Sequence, residues 1–152
     1  MSNKRYPIAE VIPHGPPMIL LDQLAQYDDE SATTTLTVRT DSMLCDGEKI
    51  DAWVGIEYMA QTIAAYSGCH ARDAGKKVEV GFLVGTRKYR CKATHFNLGD
   101  QLTINAEKVM MGDNGLGVFE CKIIRDNKVI AEANLNVFQP NNPAEFLKEG
   151  TI

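Results

Sequence analysis

The sequence predicts an α+β domain in which an antiparallel β-sheet wraps one long α-helix. Two observations carry that reading. Residues Trp53 to Ser67 make a helical run that is apolar on almost every side, with Gln61 and Thr62 nearly the only hydrophilic relief. Around it lie segments with the alternation of half-buried strands, which outnumber helices and turn tightly on one another. A helix of that kind has to be covered by the rest of its domain or by an interface, and a sheet curling around it supplies the cover.

A chain of 152 residues is expected to form one domain over 1–152, with a core of about 6–138 and a tail over 139–152. Hydrophobic content of 44% and charged content of 24% are those of an ordinary globular protein. The formal charge of -4 argues against a nucleic-acid partner, which calls for a basic surplus. Four widely spaced cysteines, Cys45, Cys69, Cys91 and Cys121, form no CxxC pair and suggest reduced thiols rather than disulfides or a metal site. Residues 1–7 lack the apolar run of a secretory signal and nothing reaches membrane-spanning length, so the cytoplasm is the expected compartment.

Taken in order, Ile8 to Ile12 suits one or two helical turns before Pro13-His-Gly-Pro-Pro17, where three prolines stiffen a loop and hold His14. A strand is expected from Met18 to Tyr27, a turn at Asp28-Asp-Glu30, and a second strand from Ser31 to Thr40, rich in β-branched residues. Asp41 to Asp51 shows no period. Asp51 is the expected N-cap of the central helix, which runs to about Asp73 and closes at Ala74-Gly-Lys-Lys77. Four strands follow: Val78 to Cys91, with a bend at Gly81 or Gly85, then Gln101 to Met111, Leu116 to Ile124 and Lys128 to Phe138. Gly112-Asp-Asn-Gly115 and Asp126-Asn127 supply the turns. A helical turn at Ala144 to Lys148 ends the chain.

Within the helix, Trp53, Ile56, Met59, Ala60, Ile63, Ala64 and Ser67 gather on one broad face, with Glu57 at its flank. A carboxyl so placed points toward, or along the edge of, buried space. Burial moves such a group toward values useful in proton transfer. A bland alternative is a carboxylate that reaches the surface or a backbone amide. The unpaired amides at the helix start lie at the positive end of the helix dipole, where a developing oxyanion would be stabilised.

Four segments carry a family likeness. Pro13-His-Gly-Pro-Pro-Met-Ile-Leu-Leu-Asp22, Glu57-Tyr-Met-Ala-Gln61, Leu98-Gly-Asp-Gln-Leu102 and Val129-Ile-Ala-Glu-Ala133 resemble, in order, the PHRxPxLLxD, EAMAQ, PGDQL and late VAEA segments of the hotdog-fold 3-hydroxyacyl-[acyl-carrier-protein] dehydratases. The PHxPPM opening is similar to that of the ApeP-type subgroup of aryl-polyene biosynthesis. The resemblance implies a hotdog dimer with a thioester tunnel at its interface, a partner in acyl carrier protein, and no cofactor beyond the phosphopantetheine or coenzyme A that carries the substrate. It also implies a syn elimination in which a His takes the C2 proton, a carboxylic acid protonates the departing 3-hydroxyl, and helix-start amides hold the thioester oxygen. On this chain Glu57 is then the acid and Gln61 the Gln that closes its segment; Gln61, Trp53 and Ala52 are the expected substrate contacts, with Trp53 either narrowing the tunnel mouth or packing across the interface.

One family landmark is missing. The family's histidine sits in a GHFPG-like segment fourteen residues ahead of the Glu, a position held here by Met43 within Asp41-Ser-Met-Leu-Cys-Asp-Gly47. The Pro-Gly at the helix start is replaced by Asp51-Ala52. His14 is the best substitute base because its loop is stiff, the alternative being a residue that caps local backbone. His70, at the far end of the helix, is expected to be structural or exposed. His95 is expected in a solvated loop.

Lys88, Arg90 and Lys92 fall on one side of a strand by alternation and could dock an acidic carrier protein; equally, they are a solvated face that discourages edge pairing. Met18, Met43, Met59, Met110 and Met111 suit an acyl channel or the core. Two rivals to the dehydratase stand: a non-catalytic hotdog subunit paired with an active dehydratase, and a thioesterase in which Glu57 activates water.

Overall fold

The computed structural model describes residues 6–15, 18–41, 44–78 and 81–139, without the side chains of residues 82–84. Its elements in chain order are β1 (Gln23–Tyr27), β2 (Ser31–Thr37), β3 (Lys49–Asp51), α1 (Gly55–Asp73), β4 (Phe82–Cys91), β5 (His95–Asn97), β6 (Gln101–Met111), β7 (Leu116–Arg125) and β8 (Lys128–Phe138), with 3-10 turns at Ile8–Glu10 and Ala52–Val54. Six strands form one sheet in the order β1-β2-β6-β7-β8-β4, antiparallel at every pairing, and α1 packs on one face of it. The α+β arrangement of one sheet around one helix is the expected one.

Alternation decides which side of each strand meets α1. Ala32, Thr34 and Leu36 of β2, Leu102, Ile104 and Ala106 of β6, and Phe119, Cys121 and Ile123 of β7 are buried. Glu120 and Lys122, between the last three, are exposed on the outer face. The β7–β8 turn puts Asp126 and Asn127 both in the left-handed region, at φ 54° and 63°, the geometry of a two-residue hairpin and one that Asp and Asn tolerate. Asp28 Oδ1 accepts the backbone N–H groups of Glu30 and Ser31, each at 2.8 Å, closing the β1–β2 turn and holding its carboxyl below the usual range.

Several expectations change. The ladder of β1 begins at Gln23 rather than Met18, because the Leu20 N–H goes to the Gln61 side chain and only the Asp22 N–H reaches Thr35 O. β2 stops at Thr37, since the next N–H, on Val38, turns to Asp100 O. The three-residue strands β3 and β5 pair Ile50 with Phe96 in a second, two-stranded sheet; each is too short for a period of two to show in sequence. β4 shifts register between Leu83 and Gly85, in keeping with a bend at Gly85, and again between Arg87 and Arg90, where Lys88 takes φ 56°. The proposed helical turn at Ala144 to Lys148, and Met43, lie outside the described residues.

The helix ends at Asp73 and closes with Gly75 at φ 71°, as its sequence asks. Its start differs: the 3-10 turn Ala52–Val54 precedes it and Asp51 makes no side-chain cap. Its faces differ more. Of the face expected inside, Met59 and Ile63 are buried, while Ile56, Ala60, Ala64 and Ser67 are half-exposed and Trp53 is 60% exposed. Gln61 and Thr62, the two hydrophilic residues, are fully buried. Thr62 satisfies itself there, its hydroxyl 2.8 Å from Tyr58 O and 2.7 Å from the Thr34 hydroxyl. Cys69 and Cys121 are also inside, and burial pushes both thiols up to about 12, far from a reactive thiolate.

Candidate functional site

The loop that carries His14 is anchored before it begins. Ile8, Val11 and Ile12 are buried, and the Val11 carbonyl lies against α1 at Gly68, where a Cβ would come within 1.7 Å of its oxygen. Only glycine admits that approach. The chain then turns at Pro13 and presents His14 Nε2 at 3.8 Å from Glu57 Oε1, with both side chains about one-third exposed. His14 Nδ1 is shut away from solvent and has no hydrogen-bond partner among the described residues.

Gln61 ties the acid to the returning loop. Its Oε1 accepts the Leu20 N–H at 3.0 Å, and its Nε2 donates to Met18 O at 2.7 Å and to Glu57 Oε1 at 3.3 Å. The amide cannot be turned over, because a backbone N–H can only donate and therefore demands the oxygen on its side. Gln61 thus stands as a brace, wholly buried, rather than on a cavity wall.

His14 and Glu57 line a cavity of about 260 Å³ together with Ala60, Ile63 and Ala64 of α1, Met111 of β6 and Val137 of β8. Small side chains at 60 and 64 leave the room, and the strand ends close it. The stripe Ala60, Ala64, Ser67 at helical spacing was the signal in the sequence for where the helix is left uncovered. Nothing local marked Val137, which reaches the cavity only through the register of β8.

The remaining expected site residues sit elsewhere. Trp53 is exposed at the helix start and does not line this cavity. The Ala52 carbonyl accepts the Tyr89 hydroxyl at 2.5 Å and its N–H donates to Thr94 O at 3.1 Å. The Gly55 N–H bonds back to Ala52 O and Trp53 O, so these early amides are engaged rather than free. Lys88 and Arg90 share a surface depression with Lys122, Glu120 and Glu132 on the outer face of the sheet, away from α1. Two carboxylates thus interrupt the cations. Lys92, exposed just past β4, has its N–H on Ile130 O at 2.8 Å.

His70 bonds Asp28 O at 2.9 Å and packs on Tyr66, a structural place as expected. His95 lies in β5, half-buried, with Nδ1 2.9 Å from the Thr94 hydroxyl. Of the methionines, Met111 reaches the cavity, Met59 fills the core, and Met18 and Met110 are exposed. No His, Cys, Asp or Glu group suited to a metal ion is found among the described residues. Nor is any helix among them long and apolar enough to cross a membrane.

One antiparallel sheet packed on one long helix defines a class, the hotdog fold. Within it, the chain belongs to the ApeP-like family of ApeP dehydratases, whose family model matches residues 6–148. It is similar to a chain of the dehydratase heterocomplex ApeI:P from Xenorhabdus doucetiae, with a TM-score of 0.88, 30% identity, and coverage of 98% of this chain and 100% of that one. A hypothetical thioesterase with coenzyme A from Streptococcus pneumoniae shares the fold at a TM-score of 0.60 and 16% identity, over 77% of this chain and 84% of that one. The PaaI protein of the E. coli phenylacetic acid degradation operon does so at 0.60 and 16%, over 80% of each chain. No curated protein matches the chain.

Proposed function

We propose that the chain is a dehydratase of 3-hydroxyacyl thioesters, with Glu57 as the acid that protonates the departing 3-hydroxyl. The observation that carries this reading is the meeting of Glu57 and His14, 3.8 Å apart, inside an apolar cavity. Loss of water from a 3-hydroxyacyl group requires a proton removed at C2 and one supplied at the C3 oxygen. A carboxyl and an imidazole set side by side against an apolar wall are suited to both. The acyl chain lies against Ala60, Ile63, Ala64 and Met111, and the thioester is carried on phosphopantetheine of an acyl carrier protein or on coenzyme A, with substrates of fatty-acid or polyene type.

The working form is an assembly of hotdog subunits. Ala60, Ala64 and Ser67 leave one side of α1 half-open, room that a second subunit would close. The likeness to a chain of a dehydratase heterocomplex supports a different hotdog chain as that subunit.

The test is conversion of a 3-hydroxyacyl carrier-protein thioester to the enoyl product, followed by mass spectrometry, with the chain alone and with a co-expressed second dehydratase subunit. Glu57→Gln is expected to lose about 10²–10⁴ in rate; full activity in that variant would remove Glu57 from the chemistry. Met43, standing where the family carries its histidine, favours a second reading as a non-catalytic subunit. In that case Glu57→Gln is silent and turnover follows the partner. Free thiol without enoyl product would mark a thioesterase.

A further inference from the structure

Among the described residues, the two polar side chains that approach the Glu57 carboxylate face the same oxygen. Gln61 Nε2 donates to Oε1, and His14 Nε2 faces that atom too. The other oxygen, Oε2, takes no hydrogen bond from the described residues and belongs to a side chain that lines the cavity. Gln61 cannot reverse its polarity toward the acid, because the Leu20 N–H pins the amide oxygen on the far side.

The protonation of His14 follows from its other nitrogen. An imidazole that acts as a base through Nε2 keeps its proton on Nδ1, and once it has accepted a second proton it is a cation with a donor at each nitrogen. Nδ1 is buried without an acceptor among the described residues. A buried N–H left unmatched keeps its full desolvation cost, and a charged one costs more. The opposite tautomer carries its proton on Nε2, toward the Glu57 carboxylate, and leaves only an unmatched lone pair at Nδ1, the milder of the two defects.

We infer that Glu57 is the sole proton carrier of the site: Oε2 takes the C2 proton of the substrate and returns it to the C3 hydroxyl, while neutral His14 and Gln61 are positioning residues that hold Oε1. This rests on the dehydratase reading above. The C2–H bond breaks and its electron pair becomes the C2–C3 double bond as the C3–O bond breaks. The hydroxyl leaves as water with the proton that Glu57 carried, and the carboxylate is restored. In a syn elimination hydrogen and hydroxyl leave from one face, within reach of a single oxygen.

Two measurements test the assignment in the full chain with its partner subunit. The ¹⁵N spectrum of His14, assigned by comparison with His14→Gln, is expected to show the neutral Nε2–H tautomer at pH 7. An Nδ1–H tautomer or an imidazolium overturns the inference whether or not turnover is seen. In the dehydration assay His14→Gln, which keeps an N–H donor but cannot accept a proton, is expected to fall by less than about tenfold and to exceed His14→Ala. A loss of about a hundredfold or more in folded His14→Gln restores His14 as the base and overturns the inference. A wild-type complex that makes no enoyl product overturns the dehydratase reading itself, and the proton route with it.

Discussion

The two sides of α1 are built from side chains of opposite size. Toward the sheet stand Tyr58, Met59, Thr62, Ala65, Tyr66 and Cys69, all buried. Toward the cavity stand Glu57, Ala60, Ala64 and Ser67, all half-exposed. Bulk on the first side fills the space between helix and sheet, where Tyr58 meets Phe96 and Tyr66 meets Phe119 at centroid separations of 5.8 and 5.5 Å. Scarcity of bulk on the second side makes a hollow, and Glu57 stands there. Polar groups follow the same division: Thr62 is matched internally by Thr34, whereas Glu57 Oε2 takes no hydrogen bond from the described residues.

The contrast can be broken most severely at Gly68. Gly68→Ala drives a methyl into the Val11 carbonyl, and because both partners are backbone neither can swing aside. A loss of about 3 kcal/mol or more is expected in urea unfolding; a Tm within a few degrees of wild type would show that the N-terminal segment is not clamped there.

Ala64→Phe attacks the other side. Little stability should be lost, within about 0.5 kcal/mol, because the site is half-open. The cavity is filled, however, so kcat/KM for a long acyl substrate should fall at least about tenfold. An unchanged value would mean that the acyl chain lies elsewhere.

Tyr58→Phe is the mildest. The Tyr58 hydroxyl is buried with no partner among the described residues, and burial pushes its pKa upward. Its removal is expected to stabilise by about 1 kcal/mol, a rise of about 2–4 °C in Tm. A fall in Tm would show that the hydroxyl is matched by a bound water.

Much of the architecture was legible because β2, β6, β7 and β8 are long enough to display alternation and their turns carry Gly, Asp and Asn where φ is positive. The orientation of α1 was not. When a helix is apolar almost all round, its pattern carries no direction, and side-chain size becomes the better guide: Tyr58 and Tyr66 went in, Ala60 and Ala64 stayed at the opening. The three-residue β3 and β5 fell below the length at which a period can be read. For the site, Glu57 and His14 were visible as an acid in an apolar helix and an imidazole in a stiff loop. The part played by Gln61 was not, because its backbone partners at Met18 and Leu20 lie more than 40 residues away in sequence.

Gln61 engages Met18 and Leu20 much as a neighbouring strand would, one acceptor and one donor, and spends its remaining N–H on Glu57. Loop and acid are therefore geared together. A push on the backbone around residues 18–20 would swivel the amide and, through it, turn the Glu57 carboxylate without any rearrangement of the sheet.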